Sequence, residues 1–206
     1  MYQIDLLRHG ETTLSHTLRG STDDALTELG WQQMQATVDQ SIHHQQQRHH
    51  QQHWQVIFSS PLQRCRLFAE SMAAQRQLPL FLDASLQEMH FGDWEGISTA
   101  EIYAKSPELL AQFWEQPTVY TPPNAESLDH FKHRVGTALA HMQQTMHQHQ
   151  FKSALVVTHG GVIKLLKCLA ENQPLDKILS MSAKLGQLNR FILSDERGIR
   201  LLEQQP

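Results

Sequence analysis

Three short apolar runs constrain this chain more than any other feature, because each stops at a polar junction and gives way to a helical repeat. Tyr2-Gln3-Ile4-Asp5-Leu6-Leu7 ends in Arg8-His9-Gly10-Glu11-Thr12. Val56-Ile57-Phe58 ends in Ser59-Ser60-Pro61. Ala154-Leu155-Val156-Val157-Thr158, the clearest strand, ends in His159-Gly160-Gly161. Short apolar runs bounded by turn-forming residues read as buried strands. Strands alternating with helices imply an α/β fold whose largely parallel sheet is covered on both faces. Open sheets of that kind bind ligands beyond the carboxyl ends of their strands. The junctions are therefore where chemistry is sought.

The spacing predicts helices over residues 27–40 and 61–75. A long amphipathic helix follows Leu128, Phe131, Val135, Leu139, Met142 and Met146, and a last one opens at His159-Gly160-Gly161. Ser60 is placed to cap the second helix, and Pro61 suits a first helical position. Leu80-Phe81-Leu82 is a further strand, and residues 187–194 and 199–203 read as two closing strands around Asp195-Glu196-Arg197-Gly198. Residues 98–120 mix helical and irregular character. The expectation is one domain over residues 1–206, with residues 90–126 inserted as a small cap over the carboxyl edge. The Gln/His tract from Ile42 to His53 reads as a helix extension or a surface loop. Its imidazoles, among them His43, His44, His49, His50 and His53, lack the carboxylates or thiols of a firm metal site.

A chain of 206 residues suits one domain with a real core. Its 17 Lys and Arg against 21 Asp and Glu give a net charge of −4, which argues against nucleic acid as a partner. A local positive pocket is still compatible with that balance. Two cysteines, Cys65 and Cys168, at no metal-like spacing point to a reducing compartment. No apolar stretch approaches membrane-spanning length, and the chain opens directly on a strand-like run. The expectation is a cytoplasmic protein without a membrane partner.

The junctions carry Arg8 and His9, then Arg64 in the first turn of the second helix, then His159. If the strands are neighbours, these four side chains meet at one sheet edge, beside helix N-termini that add unpaired N–H groups. Such a pocket suits a dianionic phosphate, since a guanidinium grips two oxygens at once. His9 is the natural nucleophile: with one ring nitrogen protonated and held by a carbonyl, the other can attack phosphorus. Glu88, in Leu86-Gln87-Glu88-Met89-His90-Phe91-Gly92-Asp93-Trp94-Glu95-Gly96, is the candidate acid for the leaving alkoxide and then the base for water. Glu11, Asp93 and Glu95 read as hydrogen-bonding partners, and Trp94, Trp114, Phe113 and Tyr120 as core packing in preference to substrate stacking.

These pieces together resemble the histidine phosphatases, the superfamily that includes cofactor-dependent phosphoglycerate mutases. The matching segments are Arg8-His9-Gly10-Glu11-Thr12, Asp24-Ala25-Leu26-Thr27-Glu28-Leu29-Gly30, Ser59-Ser60-Pro61-Leu62-Gln63-Arg64-Cys65, Glu88 with Phe91-Gly92-Asp93-Trp94-Glu95-Gly96, and Thr158-His159-Gly160-Gly161. The resemblance implies a three-layer α/β/α sandwich with a mostly parallel mixed sheet. It implies His9 as phosphoryl carrier, Arg8, Arg64 and His159 as the phosphate pocket, Glu88 as acid/base, and no metal or other cofactor. Ser15 stands where many members carry asparagine, the loop from Leu14 to Gly20 is slightly short, and Asn124-Ala125-Glu126-Ser127 stands where Gly-Gly-Glu-Ser is common. Ser15 and Gly20 are the further expected substrate contacts.

Within the superfamily, the short length and compact cap are most similar to alpha-ribazole-5′-phosphate phosphatases of the nucleotide-loop stage of cobalamin synthesis. A broad sugar-phosphate phosphatase shares much of the pattern. A phosphoglycerate mutase would need its phosphoenzyme shielded from water, which a short cap disfavours. A non-catalytic phospho-ligand binding module would need the arginines but not Glu88. On each enzymatic reading the partner is a small-molecule phosphate ester.

Overall fold

The computed structural model describes residues 1–47, 54–194 and 198–202. Along the chain run β1 (Tyr2–Arg8), α1 (Glu28–Gln47), β2 (Val56–Ser59), α2 (Gln63–Arg76), β3 (Leu80–Leu82), α3 (Thr99–Lys105), α4 (Pro107–Glu115), α5 (Leu128–Gln148), β4 (Ser153–Thr158), α6 (Gly160–Ala170), β5 (Leu188–Ser194) and β6 (Gly198–Leu201). Short 3-10 turns occupy Ala84–Leu86, Gly92–Trp94 and Leu175–Ser180.

The strands form one sheet in the order β3-β2-β4-β1-β5-β6. β3, β2, β4 and β1 are parallel, whereas β5 and β6 close the far edge antiparallel. The three junction-bearing strands are thus adjacent, and their ends are level: Val157 lies opposite both Leu7 and Ser59. The fold is the expected α/β arrangement with a mixed, mostly parallel sheet.

Alternation along the strands divides the apolar residues between two cores. Ile4, Leu6, Val56, Phe58, Ala154 and Val156 face one core, filled by α5 and α6 through residues such as Phe131, Val135, Met142 and Ile163. Leu7, Ile57, Leu155 and Val157 face the other, filled by Met34 and Val38 of α1 and Phe68 and Met72 of α2. Asp5 is the polar exception on β1. Its fully buried carboxylate accepts from Arg190 Nε at 2.9 Å, Arg190 Nη2 at 3.0 Å and Trp54 Nε1 at 3.0 Å, pinning β5 across the strand pair.

One expectation, the start of the second helix at residue 61, is corrected, and two others are made specific. α1 continues to Gln47, so the start of the Gln/His tract is helix; residues 48–53 lie outside the described residues. α2 begins at Gln63, with Leu62 as its N-cap and no side-chain capping bond. The reason is that Ser60 Oγ is committed elsewhere, 2.7 Å from His159 Nε2, and accepts only a long 3.3 Å bond from Leu62 N. Residues 98–120 hold two ordered helices. α3 starts with a reciprocal capping box between Ser98 and Glu101, and α4 starts with Pro107. The expected turn at residues 195–197, and residue 203 of the expected last strand, lie outside the described residues. No helix among the described residues is long and apolar enough to cross a membrane.

Candidate active site

β1 delivers His9 to the sheet edge, where its backbone N–H donates to Thr158 O at 3.0 Å. Its ring Nδ1 lies 2.8 Å from the carbonyl of Gly10. A carbonyl only accepts, so Nδ1 carries the proton and Nε2 keeps the lone pair. The ring is buried, and burial, reinforced by the nearby Arg64 and Arg8 charges, lowers its pKa well below the usual histidine value. The imidazole is therefore neutral at pH 7. The turn that aims it has no room for a side chain: a Cβ on Gly10 would stand 2.0 Å from Gly30 O.

Arg8 lies over the first turn of α6, where a Cβ on Gly160 would come within 3.1 Å of its guanidinium carbon. Its Nη1 donates to Ala183 O, while its Nε is buried without a hydrogen-bond partner. A half-buried cation with an unpartnered, buried Nε beside a cavity is chemically suited to an anion.

Arg64 is fully buried and more heavily engaged. Nη1 donates to Thr22 O at 2.6 Å and Asp24 Oδ1 at 3.0 Å, Nη2 to Gly20 O at 2.8 Å, and Nε to His159 Nδ1 at 3.3 Å. That leaves one Nη2 hydrogen unassigned, and neither Arg64 nor His159 is among the residues that line the cavity beside Arg8 and His9. Because Arg64 donates to Nδ1, the His159 proton sits on Nε2 and points to Ser60 Oγ. Complete burial, then Arg64 and His9, push the His159 pKa well below its ordinary value. Its ring meets that of His9 edge-on with centroids 5.4 Å apart. His159 thus lies against His9 as a neutral ring with both nitrogens engaged, and contributes no positive charge.

Glu88 approaches from the irregular segment after β3. Oε2 accepts from Gly161 N at 2.8 Å, in the first turn of α6, and Oε1 accepts from Met89 N at 3.0 Å. A cavity of about 230 Å³ brings Glu88, His9 and Arg8 together with Gly160 and Gly161. Two further cations line it, Arg19 and Lys164. Arg19 Nε stands 3.1 Å from Asp24 Oδ2, an ion pair without hydrogen-bond alignment. Among the described residues, the hydrogen-bond partner of Lys164 is Leu179 O, at a long 3.5 Å. Sequence reasoning missed both. Lys164 lies three residues after Gly161, on the same helix face, a spacing that could have found it. Arg19 sits in an irregular loop with no periodic signal.

Ser15 and Gly20 are turned to other work. Ser15 Oγ accepts from Thr12 N at 2.8 Å. The Gly20 N–H donates to both Glu95 oxygens at 3.0 Å, and its carbonyl holds Arg64. Neither lines the cavity. Glu95 also accepts from Ser21 N, Thr22 N, Thr22 Oγ1 and Phe91 N. Burial opposes its ionisation, but those bonds outweigh it and hold its pKa below the usual carboxylate value. Asp93 accepts from Asn124 Nδ2, and Glu11 from Thr27 Oγ1. Of the aromatics, Trp94 and Phe113 are buried and meet edge-on at 5.7 Å. Trp114 is 52% exposed at the cavity wall.

Comparison with known proteins places this geometry in context. The bifunctional protein Rv2228c of Mycobacterium tuberculosis is 32% identical over 203 residues, covering 97% of this chain and 53% of its own length. The chain therefore spans about half the length of that curated relative. The adenosylcobalamin/alpha-ribazole phosphatase of Escherichia coli is 29% identical over 163 residues, 78% of this chain and 75% of the relative. The structure of Bacillus stearothermophilus YhfR superposes with a TM-score of 0.80 at 27% identity, covering 98% of this chain and 95% of that one. The family model of the histidine phosphatase superfamily (branch 1) matches residues 4–204. On that match the chain belongs to the histidine phosphatase superfamily.

Proposed function

We propose that this protein hydrolyses small phosphate monoesters through a phosphohistidine at His9, without a metal. The observation that carries the reading is the orientation of His9: its proton is parked on the Gly10 carbonyl, and its lone pair belongs to a neutral ring on the cavity wall. Around it, Arg8, Arg19, Arg64 and Lys164 are opposed by the carboxylates of Asp24 and Glu88. The cations outnumber the carboxylates whether or not Glu88 carries the proton it is to give, a positive balance suited to a phosphate dianion.

In the first half-reaction the Nε2 lone pair forms the N–P bond as the ester P–O bond breaks. Glu88 gives its proton to the departing oxygen. Unused Arg8 donors and the remaining Arg64 Nη2 hydrogen stabilise the equatorial oxygens, the main electrostatic task in phosphoryl transfer. In the second half-reaction water attacks phosphorus, its proton passes to the Glu88 carboxylate, and the N–P bond breaks. Inorganic phosphate leaves and neutral His9 is restored. His159 acts by packing and by fixing Arg64 Nε. Residues 90–126 serve as the cap, a reading supported by Phe91, Phe113, Trp114 and Pro117 on the cavity wall.

Beyond the cations, the wall is mostly apolar, with Leu18, Phe91, Phe113, Trp114, Phe131 and Ile178. A neutral, largely apolar alcohol complements it. Alpha-ribazole-5′-phosphate has such an aromatic leaving portion, and the named activity of the Escherichia coli relative supports it as the candidate substrate. The two free, buried cysteines fit the reducing cytoplasm as the place of action. The test is a panel of phosphate esters ranked by kcat/KM, including alpha-ribazole phosphate, sugar phosphates and 3-phosphoglycerate, with rapid quenching into alkaline detergent, which preserves an N–P bond, to trap the histidine adduct. Wild type should form an acid-labile adduct that His9→Ala lacks, and alpha-ribazole phosphate should lead the panel. Turnover by His9→Ala at the wild-type rate would overturn the covalent mechanism. Faster sugar phosphates would overturn the substrate assignment alone.

A further inference from the structure

The segment that carries Glu88 leaves the short 3-10 turn at Ala84–Leu86 and enters no α-helix or strand, so its carbonyls find no ladder partners. They are met by one side chain from α5. Arg134 Nη1 donates to Ser85 O at 3.1 Å and Gln87 O at 2.8 Å, and Nη2 donates to Glu88 O at 2.8 Å. Its remaining two hydrogens go to Glu126: Nε to Oε1 at 2.7 Å and Nη2 to Oε2 at 2.8 Å. All five guanidinium N–H groups are thereby used. Glu126 in turn holds the other side of Glu88, because Oε2 accepts from His90 N at 3.3 Å and its own N–H donates to His90 O at 3.0 Å. Thr158 Oγ1 fixes the one carbonyl that Arg134 skips, Leu86 O, at 2.9 Å.

The Glu126 carboxylate is mostly shielded from water. Burial opposes its ionisation, yet Arg134 and then His130 keep its pKa below the usual value. The guanidinium also lies 4.8 Å over the Phe131 ring. This is a fixed, paired charge acting as scaffold for a stretch of irregular backbone, a role suited to the planar fork of arginine.

We infer that Arg134, clamped by Glu126, is the positioning residue for the acid/base Glu88. It touches no reacting atom and acts by holding the Ser85–His90 backbone where the Glu88 carboxyl can reach the leaving oxygen. The inference rests on the proposed hydrolase reading with Glu88 as the acid. Loosening the clamp leaves His9, Arg8 and Arg64 in place, so ester binding is preserved while proton delivery is lost. Misplacement of a reacting group by about 1 Å can cost about 100-fold in rate.

The experiment measures kcat and KM for aryl phosphates spanning leaving groups from p-nitrophenol to unsubstituted phenol, with wild type, Arg134→Met, Arg134→Lys, Glu126→Gln and Glu88→Gln. Thermal melts on each variant report folding. Arg134→Met should lose about 100-fold in kcat on phenyl phosphate, far less on p-nitrophenyl phosphate, and keep KM within a few-fold. The steeper leaving-group dependence should match that of Glu88→Gln. Arg134→Lys, which keeps the charge but has three donors in place of five, should recover part of the loss. Glu126→Gln, which changes no donor on Arg134, should show the same leaving-group signature more weakly and covers the case of an unfolded Arg134→Met. If Glu88→Gln itself keeps wild-type rates, the acid/base reading fails. If Glu88→Gln is slowed but folded Arg134→Lys and Glu126→Gln keep the wild-type dependence, or lose equally on both esters, the positioning role fails.

Discussion

Gly161→Ala separates chemistry from stability in a single methyl group. A Cβ at position 161 would stand 2.1 Å from Glu88 Oε1 and 3.0 Å from Glu88 Cδ. A relaxed carbon–oxygen contact needs about 3.3 Å, so the carboxyl must retreat by about 1.2 Å. The retreat is cheap for folding because the obstructing atom is the end of a flexible side chain. Loss of the 2.8 Å bond from Gly161 N to Glu88 costs about 1 kcal/mol. Replacing glycine by alanine within a helix returns up to about 1 kcal/mol. Stability should therefore stay within about 1 kcal/mol of wild type. Catalysis should not: a displacement of about 1 Å corresponds to about 100-fold in kcat, or about 2.7 kcal/mol of barrier. Steady-state kinetics with an alkyl phosphate and with p-nitrophenyl phosphate, beside urea melts, measure both quantities. A folded Gly161→Ala enzyme that turns over the alkyl ester at the wild-type rate would refute the placement of Glu88 as acid.

Other outcomes follow from the same geometry. Gly20→Ala should destabilise the fold by about 3 kcal/mol in urea melts, because its Cβ would meet the main-chain Met89 O at 1.8 Å, where no rotamer change can help; an unchanged midpoint would show the loop to be looser than described. The buried His9 and His159 rings are neutral in the folded chain and regain a pKa near 6.5 on unfolding. Below that pH the unfolded chain binds more protons, so stability should fall as pH drops, approaching ~1.4 kcal/mol per pH unit for each ring. Melts between pH 7 and about pH 5 test this, and His159→Gln should make the slope shallower. Arg190→Met strands the buried Asp5 carboxylate. With the arginine side chain 36% exposed, the loss should be about 2 kcal/mol, below the 3–5 kcal/mol of a fully buried pair; Asp5→Leu in the same chain should recover most of it.

What could be read from the sequence was local. A strand that ends in Arg8-His9 or in Thr158-His159 announces its own junction, and strand alternation brings those junctions together. The pairing of Leu7 and Ser59 with Val157 follows from that topology. The roles of Ser15 and Gly20 were not legible, because a hydroxyl in an irregular loop has no period to give its direction. Ser15 turns to Thr12 N, and Gly20 serves Glu95 and Arg64, partners far away along the chain. Ser60 looked like a cap because its local context is that of one. Its hydroxyl went instead to His159, 99 residues away. Arg134 escaped for the same reason, since three of its partners are carbonyls, which every residue possesses and no sequence distinguishes.

Glu95 has a mechanical consequence. Its single carboxylate gathers the amides of Gly20, Ser21 and Thr22, which follow Arg19, and that of Phe91, which follows the Glu88 segment. The stretch bearing Arg19 and the stretch bearing the aromatic roof are therefore stitched by one knot. On the proposed reading, an alcohol bulky enough to displace Phe91 would also pull on Arg19, so its size would be felt where the anion is held.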